Sequence, residues 1–394
     1  MQSHTVFCAA FAAAFFASPL SHAADSQELE EVVITASPIG DPDALATIAG
    51  AVDRDRLLRS GGGTLADALV DVPGVSASTF AAGASRPIIR GFDANRVRTL
   101  EDGVGSFDVS DIGPDHGVPL DPLAAERVEI VRGAATLRYG SQAIGGVVNA
   151  ISDRVPTRLP ADGFNSDFAG GLNSNGDGRD VAAQLNGGAG TMALHADGFA
   201  RRKDDYETPE GTQDNSWARS TGIAIGGSWI GESDHAGLGV VNYRSRYGIP
   251  GETSWIDMQQ TKILMRSKWS ISRAALDSIT VDGGWADYKH DEIGDAEGVL
   301  STFRDQEWDL RAEALLGNLG VFSESALGVQ AQDREFSAQG EGSDFMSPAG
   351  MTSGAVFGFG EAQLAERMKL QLGARVEQVE RWLTSALAYE PARC

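Results

Sequence analysis

The feature that most constrains this fold is a two-residue alternation of apolar and charged side chains across residues 160–394. It is clearest at 307–314, where Trp308, Leu310 and Ala312 alternate with acidic or basic residues. Successive side chains of a β-strand point to opposite faces, so this pattern predicts strands with one apolar face and one charged face. A soluble sandwich and an outer-membrane barrel both use such strands, and one strand does not separate the two.

The connections between the predicted strands favour the barrel. From Phe164 onward the pattern indicates about eleven strands, joined alternately by short turns and by longer polar links. The long links are predicted at 201–217, 246–260, 290–303 and 335–350. Short turns at one end and long loops at the other are typical of outer-membrane barrels. We therefore predict a membrane β-barrel architecture for residues 158–394.

The N-terminus has the pattern of an export signal. An apolar run from Val6 to Ala17 is followed by small residues at Ser21 and Ala23, which suit cleavage after Ala23. Residues 1–5 contain no Lys or Arg, which departs from the usual positive start of such signals. Beyond this segment no run of 18 apolar residues occurs, so no membrane-spanning helix is expected. We predict a signal peptide at residues 1–23.

Charge and motifs limit the class of function. Acidic residues outnumber basic ones by 55 to 32, giving a net charge of −23, which argues against a nucleic-acid partner. The sequence has no nucleophile elbow, no phosphate loop with its Lys, and no zinc-protease helix motif. We predict a protein that is not an enzyme, without a catalytic cofactor.

Residues 46–157 combine helical and strand signals. Thr64 is a plausible N-cap for a helix at 65–70, which Pro73 and Gly74 would end. Short strands that end at Gly are predicted in the segments 87–92, 96–104 and 126–133. In this order, together with the segment 139–150, they resemble the plug domain of TonB-dependent outer-membrane receptors. Without that resemblance, the pattern predicts only a small α+β domain.

A β-branched run lies ahead of this domain, within an extended, Pro-containing segment at 24–45. It consists of Glu31, Val32, Val33, Ile34, Thr35 and Ala36. Such a run can be an ordinary short strand. It can also remain extended and add as a strand to the sheet edge of a partner. Placed between a signal peptide and a linker, it resembles a TonB box.

The resemblance implies a Gram-negative outer-membrane receptor with TonB, ExbB and ExbD as partners and lipid around its barrel. Its domains would be a signal peptide at 1–23, the TonB box and linker at 24–45, the plug at 46–157, and barrel strands at 158–394. Barrels of this family have 22 strands, about twice the number counted here. An unclosed sheet leaves unpaired edges, so the sequence predicts an incomplete barrel, and a truncated remnant that does not transport is an open alternative.

One plug loop, residues 111–117, carries the best candidate for specific chemistry. Asp115 and His116 are adjacent there, and a carboxylate with an imidazole suits Zn²⁺, although two ligands do not complete a site. This loop resembles the zinc-uptake (ZnuD-type) branch of the receptors. So do the segments 247–251 and 287–292, which are predicted to lie in two external loops of the barrel. The resemblance implies that Asp115 and His116 bind zinc.

Three further candidate ligands, His290, Asp291 and Glu292, follow from their expected exposure and their chemistry. The sequence thus predicts high-affinity zinc uptake driven by TonB, with Zn²⁺ as the transported ligand. A ferric siderophore, haem or another metal chelate is the alternative cargo. Siderophore sites rely on aromatic and Arg contacts and haem sites on axial His.

Overall fold

The computed structural model describes residues 48–61, 63–273, 275–344, 346–365 and 368–383. The predicted signal peptide and the predicted TonB box lie outside the described residues, and so does Cys394. Both predictions therefore stay predictions.

The described chain begins with an N-terminal domain of seven short strands and one α-helix, running from Ile48 to Ile151. Its strands are β1 (Ile48–Asp53), β2 (Val75–Ala77), β3 (Pro87–Ile89), β4 (Val97–Glu101), β5 (Val104–Gly105), β6 (Arg127–Val131) and β7 (Gly146–Ile151). The helix is α1 (Arg54–Arg59), and 3-10 turns occur at Asp67–Leu69, Ala94–Arg96, Pro122–Ala124 and Gly133–Tyr139.

Five of these strands form one sheet in the order β1-β6-β7-β4-β5, in which β4 and β7 are parallel and the other pairs antiparallel. β7 is buried along its whole length, as expected for a central strand covered on both faces. Val128, Ile130 and Val148 are fully buried and form part of the core with residues of α1 and β1. The predicted strands at 87–92, 96–104 and 126–133 are thereby confirmed.

The predicted helix at 65–70 is wrong. The structure has only the 3-10 turn Asp67–Leu69, where the Thr64 hydroxyl accepts a hydrogen bond from the Asp67 amide at 3.3 Å. So short a segment gains little from helix propagation, and one turn already buries Leu69 completely. The α-helix lies earlier, at α1, capped by the Asp53 carboxylate. Among the described residues, no helix has the length and apolarity that crossing a bilayer requires.

The second part of the chain is one large antiparallel sheet. Its strands are β8 (Phe164–Asn173), β9 (Gly178–Ala189), β10 (Met192–Lys203), β13 (Ala218–Ile230), β14 (His235–Gly248), β15 (Trp255–Arg273), β16 (Leu276–Gly294), β17 (Gly298–Leu316), β18 (Glu324–Gly340), β19 (Ala349–Ala365) and β20 (Met368–Leu383). A separate hairpin of β11 (Glu207–Thr208) and β12 (Gly211–Thr212) and a 3-10 turn at Glu341–Asp344 complete the fold.

The eleven strands pair in sequence order from β8 to β20, so the predicted strand count is confirmed. The sheet has its charged face inward, against the N-terminal domain. On β17, Asp309 and Arg311 are 6% and 5% exposed, whereas Trp308 and Leu310 are 40% and 42% exposed. A soluble sandwich would bury the apolar face instead; an outer-membrane barrel turns it toward lipid.

Three of the four predicted long links are much shorter than expected, because the strands continue through them, whereas the link predicted at 201–217 is present at 204–217. β15, β16 and β17 are 19 residues each, and only residues 295–297 remain between β16 and β17. A strand needs about 9–11 residues to cross the hydrocarbon, so the polar remainder can stay paired beyond it. His290, Asp291 and Glu292 are therefore strand residues, and the prediction that they lie in an external loop is wrong. Tyr247 likewise ends β14 rather than lying in a loop.

Candidate metal site

The loop that joins β5 to β6 lies against the inner face of the large sheet and is held there by Tyr247. The Tyr247 hydroxyl donates to the backbone carbonyl of Asp115 at 2.8 Å and accepts from the amide of Gly117 at 2.9 Å. Tyr247 is fully buried, and a Cβ on Gly83 would overlap its ring. The end of β14 therefore fixes the backbone on both sides of His116.

His116 presents one ring nitrogen to this site and uses the other for anchoring. Its Nδ1 donates to the carbonyl of Val109 at 3.0 Å, since a carbonyl oxygen can only accept. In the neutral ring, Nε2 then carries the lone pair. Nε2 lies 3.5 Å from Asp115 Oδ2 and 3.7 Å from Glu292 Oε1, while the His116 side chain is only 4% exposed.

The opposite side of the site comes from β16. His290 Nε2 lies 4.0 Å from Glu292 Oε1, and His290 Nδ1 is 3.0 Å from the Tyr288 hydroxyl. Within the described part of the chain, the buried Nε2 of His290 has no hydrogen-bond partner. Residues two apart on a strand share a face, which places Tyr288, His290 and Glu292 together.

These groups converge on one point. One ligand atom each from His116, His290 and Glu292 lies within 4.8 Å of the others. The ring of Phe303 stacks on His290 at 4.7 Å and lies 5.0 Å from His116, which closes the site on one side. Asp115 and Glu292, with 26% and 22% of their side chains exposed, leave the opposite side open to water.

Asp291 does not join this cluster. It points to the other face of β16, where it accepts hydrogen bonds from Lys289 at 2.7 Å and from Thr302 at 2.6 Å. Three of the five candidate ligands from the sequence thus converge, and Asp115 borders His116. The alternation of side chains along β16 turns the fifth, Asp291, away.

The charge around His116 favours its protonated form. Burial by itself would lower the pKa of His116, but the nearby carboxylates of Glu292 and Asp115 and the hydrogen bond to the Val109 carbonyl outweigh burial and raise the pKa above its usual value. The same carboxylates that attract a proton would attract a metal cation, so the two compete for Nε2.

A buried ion network, missed in the sequence, joins the N-terminal domain to the large sheet. Arg154 lies 2.6 Å from Glu101 and 2.9 Å from Asp197, and Lys262 lies 3.1 Å from Glu101. The side chains of these four residues are at most 4% exposed. The network has only a weak signal in the sequence, because that signal consists of charged residues at inward-facing positions of β10 and β15.

The comparisons with known proteins identify the N-terminal domain. Residues 43–147 match the family model described as the TonB-dependent receptor plug domain. The N-terminal domain is therefore similar to the plug domain of TonB-dependent receptors. Its core of β1, β4, β6 and β7 and the loop carrying Asp115 and His116 all fall within the matched residues or directly continue them.

Curated relatives extend this similarity beyond the plug. A vitamin B12 transporter, BtuB, from Photobacterium profundum is 29% identical over 251 residues, covering 58% of this chain and 38% of the relative. The hemin receptor of Yersinia pestis is 41% identical over 86 residues, covering 22% of this chain and 12% of the relative. The chain thus spans well under two thirds of the length of these relatives.

Solved structures show that the large sheet has the fold of the barrels of these receptors. The copper transporter OprC superposes with a TM-score of 0.72 at 17% identity, covering 84% of this chain and 55% of that chain. The iron transporter FrpB from Neisseria meningitidis gives 0.69 at 14% identity, covering 85% and 60%. A plug-like domain together with a barrel-like sheet is the combination found in outer-membrane receptors of Gram-negative bacteria.

Proposed function

We propose that this receptor takes up a divalent transition-metal ion, with zinc as the favoured cargo, in a process driven by TonB, ExbB and ExbD. The observation that carries the proposal is the convergence of His116, His290 and Glu292 between plug and barrel, with Asp115 Oδ2 3.5 Å from His116 Nε2. Two imidazoles and two carboxylates are a donor set that suits zinc.

The distances support an ion of this size. Zinc bonds of ~2.0–2.2 Å in a tetrahedral arrangement place the ligand atoms roughly 3.3–3.6 Å apart. The three measured separations around His116 Nε2 and Glu292 Oε1 are 3.5, 3.7 and 4.0 Å. The two shorter separations, 3.5 and 3.7 Å, lie within or next to this range.

The ligands also divide between the two parts of the receptor. Asp115 and His116 belong to the plug, whereas His290 and Glu292 belong to β16 of the barrel. If TonB displaces the plug, the ligands separate and the ion loses half of its coordination. Its release would then be a mechanical consequence of plug movement and would need no covalent step. The predicted TonB box at 31–36 would transmit that force.

Zinc binding can be measured directly on the full chain purified in detergent. We expect calorimetry to show one zinc ion bound with high affinity. This affinity should fall at least tenfold in His116→Ala and in Glu292→Gln. Asp291→Asn is the matched control, because its carboxylate is adjacent in sequence and points away. Equal affinity in all four proteins would overturn the proposal, as would unchanged zinc uptake by cells that carry Asp115→Ala.

A second candidate cargo is haem or a ferric siderophore, and the similarity to known receptors favours it. The relatives named above carry the names of vitamin B12, hemin, copper and iron transporters, and zinc is not among them. Against haem at this point, Phe303 lies on both imidazoles and their ring centroids are 4.6 Å apart, which leaves no slot for a porphyrin.

The two cargoes predict different protection of the protein. If the cargo is zinc, added zinc should slow proteolysis of the purified receptor, and hemin or a ferric chelate should not. A Soret shift on titration with hemin, retained in His116→Ala and accompanied by protection from proteolysis, would favour the second candidate.

A further inference from the structure

Four arginines form a row across the outer face of the large sheet. Arg179 of β9 is the register partner of Arg202 on β10. Arg202 is in turn the partner of Arg219 on β13, and Arg219 is the partner of Arg246 on β14. All four side chains are exposed. Because paired residues on adjacent strands share a face about 5 Å apart, four guanidinium groups follow one another over roughly 15 Å.

The contacts of this row leave much of its positive charge available to an anion. Arg202 and Arg246 each pair with one carboxylate, at 3.0 and 2.8 Å, and the exposed fractions of these two arginines are 57% and 47%. Ion pairs so exposed contribute only about 0–1 kcal/mol. Arg219 lies over the ring of Trp217 at 5.6 Å, which does not neutralise it. Like charges directly opposite on neighbouring strands destabilise a sheet, and an anion along the row would relieve that repulsion.

The row borders the apolar band of the barrel-like sheet. On the same face, Val181 lies two residues beyond Arg179 on β9, and Ile223 lies four residues beyond Arg219 on β13. Both aliphatic side chains are exposed. At ~3.3 Å per residue, the row is about 7–13 Å along the strands from side chains that in a membrane barrel would face hydrocarbon.

Two pairs of tryptophans mark the borders of this band. The rings of Trp217 and Trp255 lie 6.0 Å apart next to the arginine row. The rings of Trp229 and Trp269 lie 6.0 Å apart at the other end of the same strands. Residues 217–229 extend roughly 40 Å, or about 28 Å in height at a strand tilt near 45°. Since this height matches the hydrocarbon thickness and Trp is enriched at its borders, the row falls at the level of lipid headgroups.

The connections indicate which leaflet the row would face. Arg202 lies just before residues 204–217 and Arg219 just after them, and this connection is the longest between neighbouring strands in the described part of the large sheet. The longer connections of outer-membrane barrels are on the external side. The row would therefore meet the headgroups of the external leaflet.

An apolar groove lies on the same four strands, deeper in the band. It has a volume of about 560 Å³, and its apolar lining includes Leu185, Leu194, Ile225, Leu238 and Val240. Gly187 and Gly227 also line it and leave room between these larger side chains. Leu185 and Ile225 each lie six residues from the row, which is roughly 20 Å along the strand. A lipid with its headgroup at the row could therefore lay an acyl chain in this groove.

We propose that Arg179, Arg202, Arg219 and Arg246 bind the phosphate groups of a phosphorylated lipid in the external leaflet of the membrane. Guanidinium groups bind phosphate through two parallel hydrogen bonds, and a line of them suits a headgroup that carries more than one phosphate. The inference rests on the barrel fold and is independent of the cargo, because the row is on the outer face of the sheet and the candidate metal ligands are on the inner face.

Lipid binding by the full chain purified in detergent tests this site. The probe is lipid A, which carries two phosphates, and dephosphorylated lipid A is the comparison. We expect native mass spectrometry to show one lipid A bound at least tenfold more tightly than its dephosphorylated form. Arg219→Gln should weaken lipid A binding at least fivefold. Arg304→Gln is the matched control, because Arg304 is exposed on the outer face of β17 and lies outside the row.

Equal binding of the two lipids, or an equal loss in Arg219→Gln and Arg304→Gln, would overturn the inference. Arg202→Gln provides a second variant, because the Arg202 side chain has no ring packed against it that its loss would expose, and it should weaken binding to a similar degree. Equimolar inorganic phosphate separates a lipid site from a site for the free anion. It should leave lipid A bound, and displacement of lipid A by phosphate would also overturn the inference.

Discussion

The imidazole rings of His116 and His290 lie 4.6 Å apart between centroids, one on a plug loop and the other on a barrel strand. Because the two histidines lie on separate elements of the fold, the distance between their rings depends on how the plug packs against the large sheet. The candidate ligands therefore meet when the plug loop packs against β16.

Tyr247→Phe should loosen the ligand loop. The change removes the hydroxyl that bonds to both Asp115 and Gly117, leaving a buried amide unsatisfied at a cost of about 1–3 kcal/mol. We expect zinc affinity to fall roughly tenfold, because 1.4 kcal/mol corresponds to that factor. Calorimetry measures the change. Tyr206→Phe, in the external segment between β10 and β13, is the control and should have no effect; a similar fall in both variants would contradict the role of Tyr247.

Tyr288→Phe should weaken zinc binding without unfolding the receptor. When His290 binds a metal through Nε2, its Nδ1 carries a proton that the Tyr288 hydroxyl accepts at 3.0 Å. Loss of such outer contacts typically costs about 10–100-fold in metal affinity. Binding of Co²⁺ reports on the geometry through its visible spectrum. An unchanged Co²⁺ spectrum and affinity in Tyr288→Phe would show that the hydroxyl does not orient His290.

As the solution is acidified, zinc binding should weaken at a higher pH than it would for an isolated imidazole. The pKa of His116 is raised above 6.5, so protons compete for Nε2 as the pH falls through that raised value. The metal-free receptor should respond oppositely, because a raised pKa adds stability that is fully present below the unfolded value and is lost as the pH rises through the folded one. Zinc affinity and the thermal midpoint, both measured against pH, test the two signs. Glu292→Gln should shift both curves to lower pH.

Glu101→Gln should weaken the attachment of plug to barrel. Burial alone would raise the pKa of Glu101, but Arg154 and Lys262 outweigh it and lower the pKa, so the carboxylate is charged and paired. Removing the carboxylate leaves the Lys262 ammonium buried without its counter-ion, which should lower the free energy of unfolding by roughly 3–5 kcal/mol. Urea unfolding should show this loss. The double variant Glu101→Gln with Lys262→Met should recover much of it; no recovery would mean that the pair is not the cause.

The sequence predicted the strands of the large sheet well and their connections poorly. Alternation of side chains is a local property, so about eleven strands could be counted from it, and the described part of the chain has eleven in the large sheet. The ends of β14 to β17 could not be located, since strand residues beyond the bilayer are polar like loop residues. The plug domain was identified by resemblance, and its one α-helix was placed wrongly because so short a helix has no periodic signal.

The sequence by itself determined the fold class, through the order of the plug-like motifs and the alternation along the strands. It also determined the chemistry available, through the candidate ligands Asp115, His116, His290, Asp291 and Glu292. What only the tertiary structure decided is which of these meet. The facing of β16 brings His290 and Glu292 to His116 and turns Asp291 away. The burial of the Glu101 network also depended on docking of the plug. Strand register and domain docking arise from contacts between residues distant in the chain, and a linear pattern does not encode those contacts.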